Sequence, residues 1–208
     1  MGRAALVVSA GVLLSRILGL LREVALADLI GANAAGDAYR VAFIIPDFLN
    51  YLLAGGYMAI TFIPILSRHF ANDDDAGAWE AFVAVARPVG LAMAVLVGIG
   101  MLAAGPVIGA VTSLSPEDVT EATRLTRIIL PAQFFFVTGT LLMAVQYARE
   151  RFLIPTLAPI VYNLMIILGG LLMTDRSDPS AEGFAWGVLA GAIIGNFLIQ
   201  AYGAFREG

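Results

Sequence analysis

Apolar stretches long enough to cross a lipid bilayer recur along this whole chain, and the first of them, Ala4 to Ile30, carries two arginines, Arg16 and Arg22. A hydrocarbon core of about 30 Å takes about 20 helical residues to cross, and inside it every backbone polar group must be paired within its own segment. A guanidinium keeps its proton at any accessible pH and costs roughly 2.5–3.5 kcal/mol at the centre of such a helix. Two of them demand polar surroundings, and a water-filled cavity that receives an anion meets that demand.

With 60% hydrophobic and 13% charged residues and a mean hydropathy of +0.87, the chain lies far from soluble domains, in which about 25% of residues are charged. Six spans can be drawn: Ala4–Ile30, Asp37–Leu66, Glu80–Ala104, Val119–Tyr147, Phe152–Thr174 and Gly183–Phe205. They fill the sequence, so residues 1–208 read as a single all-α, six-helix transmembrane domain. The first run is too long for a secretory signal and carries its two arginines, so it reads as a retained span. No lysine is present, and orientation rests on arginine alone. A cytoplasmic N-terminus gives the inner side Arg3, Arg68, Arg149, Arg151 and Arg206 and leaves only Arg176 outside, which places both termini in the cytoplasm.

The same composition excludes much. Without cysteine there is no disulfide, thiolate metal site or cysteine nucleophile, and the single histidine, His69, reads as interfacial rather than as a metal ligand. A net charge of −4 with no basic face gives nucleic acid nothing to bind. No nucleophile, base and orienter combine, and no glycine loop with its lysine cradles a phosphate, so neither an enzyme nor a cofactor is expected.

Arg16 and Arg22 stand about 9 Å apart along a helix axis and about 120° around it, facing one cavity from different heights. Staggered cations of this kind suit an extended anion such as a diphosphate, because each guanidinium fork takes two oxygens. Neither Glu23 nor Asp28 stands three or four residues from Arg22, the spacing of a shared helical face, which argues against a purely structural pair. Asp37 and Arg40 do have that spacing, and read either as a helix cap with a surface pair or as a latch on the outer gate. Pro46, Gly55, Gly56 and Pro64 predict a bent second span able to gate, with Asp47 and Asn50 on the cavity wall. Arg124, Arg127, Gln133, Thr138 and Thr140 offer further polar lining, while Asn163 and Asn196 are placed to bond across helices. Gly183, Gly187, Gly191 and Gly195 form one stripe, which reads first as packing within the chain and second as a seam to another copy or a second half.

The stretch SRILGLLREVALADLIGANAAGDAYRVAFIIPDFL, the later TFIPILSRHF and the segment RERFLIPTLAPIVYNLMII resemble, in that order, the N-terminal half of the MurJ (MviN) lipid II flippases of the MOP exporter superfamily. The resemblance runs along nearly the whole chain. It implies the first of two six-helix lobes that face each other across a V-shaped cavity in a bacterial inner membrane. It also implies that Arg16 and Arg22 contact the lipid-linked diphosphate and that Asp37 takes part in the transport cycle. Asn50 and Tyr51 stand where the family usually has an arginine pair, and Gly55 where it has an acidic residue. A cavity short of one arginine holds a diphosphate more weakly.

Together these readings predict alternating-access flipping of a polyprenyl-diphosphate-linked glycan, lipid II foremost. Arg16, Arg22 and Asn50 would bind it, while Asp37, Arg40, Gly55 and Gly56 would gate. The expected partners are that lipid, the surrounding membrane lipids and a second lobe. Three alternatives stand beside this reading: a flippase for another lipid-linked oligosaccharide, a non-transporting partner that binds lipid intermediates, and a cation antiporter, which would need carboxylates where arginines dominate.

Overall fold

Helices satisfy their own backbone, and the chain adopts them throughout its apolar length. The computed structural model describes residues 2–31, 34–53, 57–175 and 180–206, with side chains described for 6–31, 34–51, 61–175 and 180–206. Gly55 and Gly56, expected to loosen the second span, and Arg176, expected as the one basic residue of the outer loops, lie outside the described residues.

The first span is α1, Gly2–Leu29. The second, expected as one bent helix, is instead α2 (Ala34–Val41), α3 (Ile44–Leu53) and α4 (Tyr57–Ala71). Next come α5 (Asp75–Val111), α6 (Pro116–Ile129), α7 (Ala132–Ala148) and α8 (Leu153–Met173). The last span is α9 (Glu182–Gly191), a π-helical stretch (Ala192–Leu198) and α10 (Ile199–Arg206). Among the described residues, Asp75–Val111, Pro116–Ala148, Leu153–Met173 and Glu182–Arg206 are each long and apolar enough to cross a membrane.

The break between α2 and α3 has a local cause. Pro46 has no N–H to offer the carbonyl of Ala42, and that carbonyl lies 3.1 Å from the buried hydroxyl of Thr126 on α6, which shares its proton between it and the Ala122 carbonyl at 2.7 Å. The turn tightens around it, with Phe43 N–H bonding back three residues to Arg40. Proline alone does not break a helix here, since α5 runs on through Pro88 and Pro106.

Packing runs in three tiers. At one end, Leu26, Ile30, Tyr39, Leu125, Ile129 and Phe184 form a buried core; Ile45, Met93, Leu130 and Val137 fill the middle; Leu66, Leu141, Val145 and Ala204 fill the other end. The two ends are named here for Glu182 and Arg149. At the Arg149 end, Arg149 bonds Asp75 at 2.7 Å and lies 4.3 Å over the Phe70 ring, tying the α7–α8 turn to the start of α5. A buried amide pair also sits there, in which Gln146 Nε2 donates to Gln200 Oε1 at 3.0 Å and Gln200 Nε2 donates to the carbonyls of Ile154 and Gly195.

The glycine stripe packs within the chain, against α8. A Cβ on Gly187 would stand 2.6 Å from the Met165 carbonyl oxygen and 2.7 Å from Ile166 Cα, and one on Gly191 would stand 3.0 Å from Tyr162 backbone. Of the two readings of these four glycines, the structure shows the first, packing within the chain. Gly187→Ala is expected to cost about 1–3 kcal/mol, because the clash is with backbone that cannot step aside, whereas Gly98→Ala, with open space around it, is neutral or better. Unfolding of the two variants in detergent measures the contrast.

Asp74 caps α5 by accepting from Gly77 N–H at 2.9 Å and also contacts His69 Nδ1 at 2.7 Å. Those hydrogen bonds, the backbone one foremost, hold its carboxyl below the ordinary 3.8. A depressed carboxyl stabilises the fold above its unfolded value and loses that contribution as pH falls through the folded one. Asp74→Ala is therefore expected to melt earlier than the parent at pH 7, with the gap closing as pH drops below the ordinary value of 3.8, read by thermal unfolding across that range.

Candidate functional site

The C-terminal turns of α1 are pinned by Leu26, Leu29 and Ile30, and α2 is pinned beside them by Ala38 and Tyr39, all in the core of the Glu182 end. Tyr39 meets Phe43 and Phe184 edge to face, with centroids 5.1 and 6.0 Å away. This arrangement turns the next residues outward. Arg22, Glu23 and Leu26 of α1 and Tyr39, Arg40 and Phe43 of the facing segment enclose a cavity of about 320 Å³.

Two ion pairs hold the charges there. Arg22 Nη2 donates to Glu23 Oε1 at 2.6 Å, and Arg40 Nη1 donates to Asp37 Oδ1 at 3.0 Å. Arg22 Nη1 also reaches Asn163 Oδ1 at 3.4 Å, and Asn163 in turn donates to Pro159 O at 2.9 Å and Ser15 O at 3.5 Å. Arg22 is therefore anchored on one side by an amide between helices and paired on the other with Glu23 at the cavity, with 32% of its side chain exposed. Both partners of the Asp37–Arg40 pair are more than 60% exposed.

Four sequence expectations need correcting or refining. Arg22 does pair with Glu23; neighbouring side chains diverge by about 100° on a helix, but these two are long and both reach the cavity mouth. Arg16 does not share the cavity: it is exposed on α1, with no hydrogen-bond or ion-pair partner among the described residues. Asn50 is half-buried on α3 and does not line the cavity, whereas Arg40, read as a gate residue, does. Arg124 and Arg127 line a separate cavity, and Gln133 is buried in the bundle.

Tyr39, Phe43 and the Asn163 anchor were not foreseen as parts of the site, although Asn163 was placed correctly as a bond between helices. Asn196, given the same role, has its Oδ1 buried without a hydrogen-bond partner among the described residues. Thr138 and Thr140 bond carbonyls of their own helix and add no polar lining.

The family described as Lipid II flippase MurJ matches residues 26–208. Lipid II flippase MurJ of Burkholderia cenocepacia is 35% identical over 97% of this chain and 39% of its own length. The probable lipid II flippase MurJ of Vibrio cholerae is 29% identical over 95% of this chain and 39% of its own. Among solved structures, one described as lipid II flippase MurJ in an inward closed conformation superposes with a TM-score of 0.77 at 26% identity, covering 97% of this chain and 42% of that one. The chain thus spans about two fifths of the length of these relatives.

Removing the amide anchor tests the geometry directly. Asn163→Ala strips the cross-helix bond to Arg22 and is expected to cost about 1 kcal/mol, lowering the unfolding midpoint in detergent while leaving helical content unchanged.

Proposed function

This chain belongs to the MurJ lipid II flippase family, and from that membership we propose that it forms one lobe of a flippase for a polyprenyl-diphosphate-linked glycan precursor, lipid II foremost. The observation that carries the reading is Arg22: a permanent cation in a membrane-length helix, anchored from behind by Asn163 and paired with Glu23 at a cavity that Arg40 shares.

Arg16, Arg22 and Arg40 form a ladder of cations rising toward the Glu182 end, which is the outer end if the arginine-rich Arg149 end is cytoplasmic in a bacterial inner membrane. At rest Glu23 and Asp37 neutralise the upper two. Each of these exposed pairs contributes under about 1 kcal/mol, so an arriving diphosphate displaces the carboxylates at little cost and takes both forks bidentately. Asp37 and Arg40 then act as a latch whose pairing depends on whether the anion is present. The opposite wall of the cavity would come from a second lobe, since the chain spans only about two fifths of the length of its relatives.

Binding of a polyprenyl diphosphate to the purified, membrane-inserted chain tests the proposal. Arg22→Ala and Arg40→Ala should each weaken it about tenfold or more with insertion intact, and Glu23→Gln should tighten it about threefold by removing the competing carboxylate. Unchanged affinity in both alanine variants would remove the basis of the reading. Transfer of the lipid between leaflets of vesicles holding the chain with its second lobe separates transport from binding alone.

A further inference from the structure

A second cavity, of about 710 Å³, opens between α5, α6 and α9 at the Glu182 end. It shares no lining residue with the Arg22 cavity, and the buried side chains of Leu125, Ile129 and Val188 lie in the core between them. Its polar wall is Thr123, Arg124 and Arg127 of α6 with Glu182 and Trp186 of α9; its apolar floor is Ile128, Pro131 and Leu189.

The sequence of α6 and α7 fixes the depth of this cavity. From Pro116 to Arg127 lie five charged residues, Glu117, Asp118, Glu121, Arg124 and Arg127; from Ile128 to Ala148 there is none. That uncharged stretch is about 31 Å long as a helix, which matches a hydrocarbon core of about 30 Å. Arg127 therefore stands at the boundary between headgroups and acyl chains. Trp186 stands beside it, 43% exposed, at the top of an exposed apolar stripe that continues down the same span through Ile194, Leu198, Tyr202 and Phe205. Tryptophan at the end of such a stripe is the mark of an interfacial position, so the cavity opens toward lipid.

The charges in the wall are not balanced. Arg124 is matched by Glu182 and by Glu121 at 3.6 Å, and Glu182 also accepts from Trp186 Nε1 at 3.1 Å. Arg127 spends only its Nε, donating to the Met101 carbonyl at 3.1 Å, and has no carboxylate within ion-pair distance among the described residues. The carbonyl aims the fork while both Nη groups remain free.

We propose that this cavity is a binding site for an anionic glycerophospholipid of the leaflet at the Glu182 end. The Arg127 fork takes the headgroup phosphodiester, and an acyl chain runs down over Ile128, Pro131 and Leu189. The site is independent of the flippase reading, since it recognises a single phosphodiester from the bulk membrane and not the transported lipid.

The test uses the chain's two tryptophans, Trp79 and Trp186. Trp79 lies toward the opposite end, stacked on Phe205. In Trp79→Phe protein reconstituted into vesicles, phosphatidylglycerol with brominated acyl chains should quench Trp186 with an apparent affinity about fivefold above that of brominated phosphatidylcholine. The Trp186→Phe protein, which reports from Trp79, should show no such excess. Arg127→Gln should abolish the excess at Trp186, and Arg127→Lys, which keeps the charge, should retain most of it. Equal quenching by the two lipids, an equal excess at Trp79, or an excess that survives Arg127→Gln would overturn the proposal. Loss of the excess on adding a polyprenyl diphosphate would also overturn it, by assigning the site to the transported lipid. The comparison of the two tryptophans keeps Arg127 in place, so it decides the matter even where Arg127→Gln fails to insert.

Discussion

Arg22 touches Glu23 on its own helix and Asn163 on α8, and through those contacts the group least compatible with lipid is tied to the tightest packing in the lobe. The glycines of α9 and the π stretch let α8 approach to backbone contact, so α8 is held rigidly along one side; the same helix offers Asn163 to α1 on another. A guanidinium that cannot shed its charge is thereby fixed in direction from behind. The amide adds no charge of its own, so the counter-charge comes from Glu23, whose side chain is 59% exposed at the cavity. The cavity inherits its chemistry from that arrangement.

The helical class and the last four apolar spans were legible in the sequence because both follow from local rules: backbone pairing in lipid and a length of about 20 residues. The glycine stripe was legible as a contact surface, since a spacing of four places residues on one face. Its partner was not, because nothing local to α9 points to α8. The break in the second span was misread for a related reason. Pro46 announces a lost hydrogen bond, but whether the chain bends or parts depends on who takes the freed carbonyl, and Thr126 lies 84 residues from it.

At the site the sequence singled out Arg22 and Arg40, which the structure sets on one cavity, and misjudged their company. Arg22 was legible from its position in an apolar run. Its bond to Glu23 was discounted by the rule for shared helical faces, which governs residues packed along a cylinder and not long side chains meeting at a cavity mouth. Arg16 and Arg22 were read as sharing one cavity, yet the cavity beside the core of Leu26 and Tyr39 is lined by Arg22 and not by Arg16. Arg40 joins it because α2, packed on α6, brings its last turn to the cavity beside the C-terminal part of α1. The packing of buried Tyr39 and half-buried Phe43 beside two arginines is tertiary, and no spacing rule foretells it.

The amide pair of Gln146 and Gln200 sets a limit on how this lobe can change shape. Each amide is buried, and each finds its partners at only one relative height of the helices that carry them. A slip of one helical turn between α7 and α10 would strand donors and acceptors with no water to replace them, a heavy penalty for a motion that gains nothing. The bundle is pegged against internal shear, and any large excursion falls to the joint between α2 and α3 or to movement of the lobe as one piece.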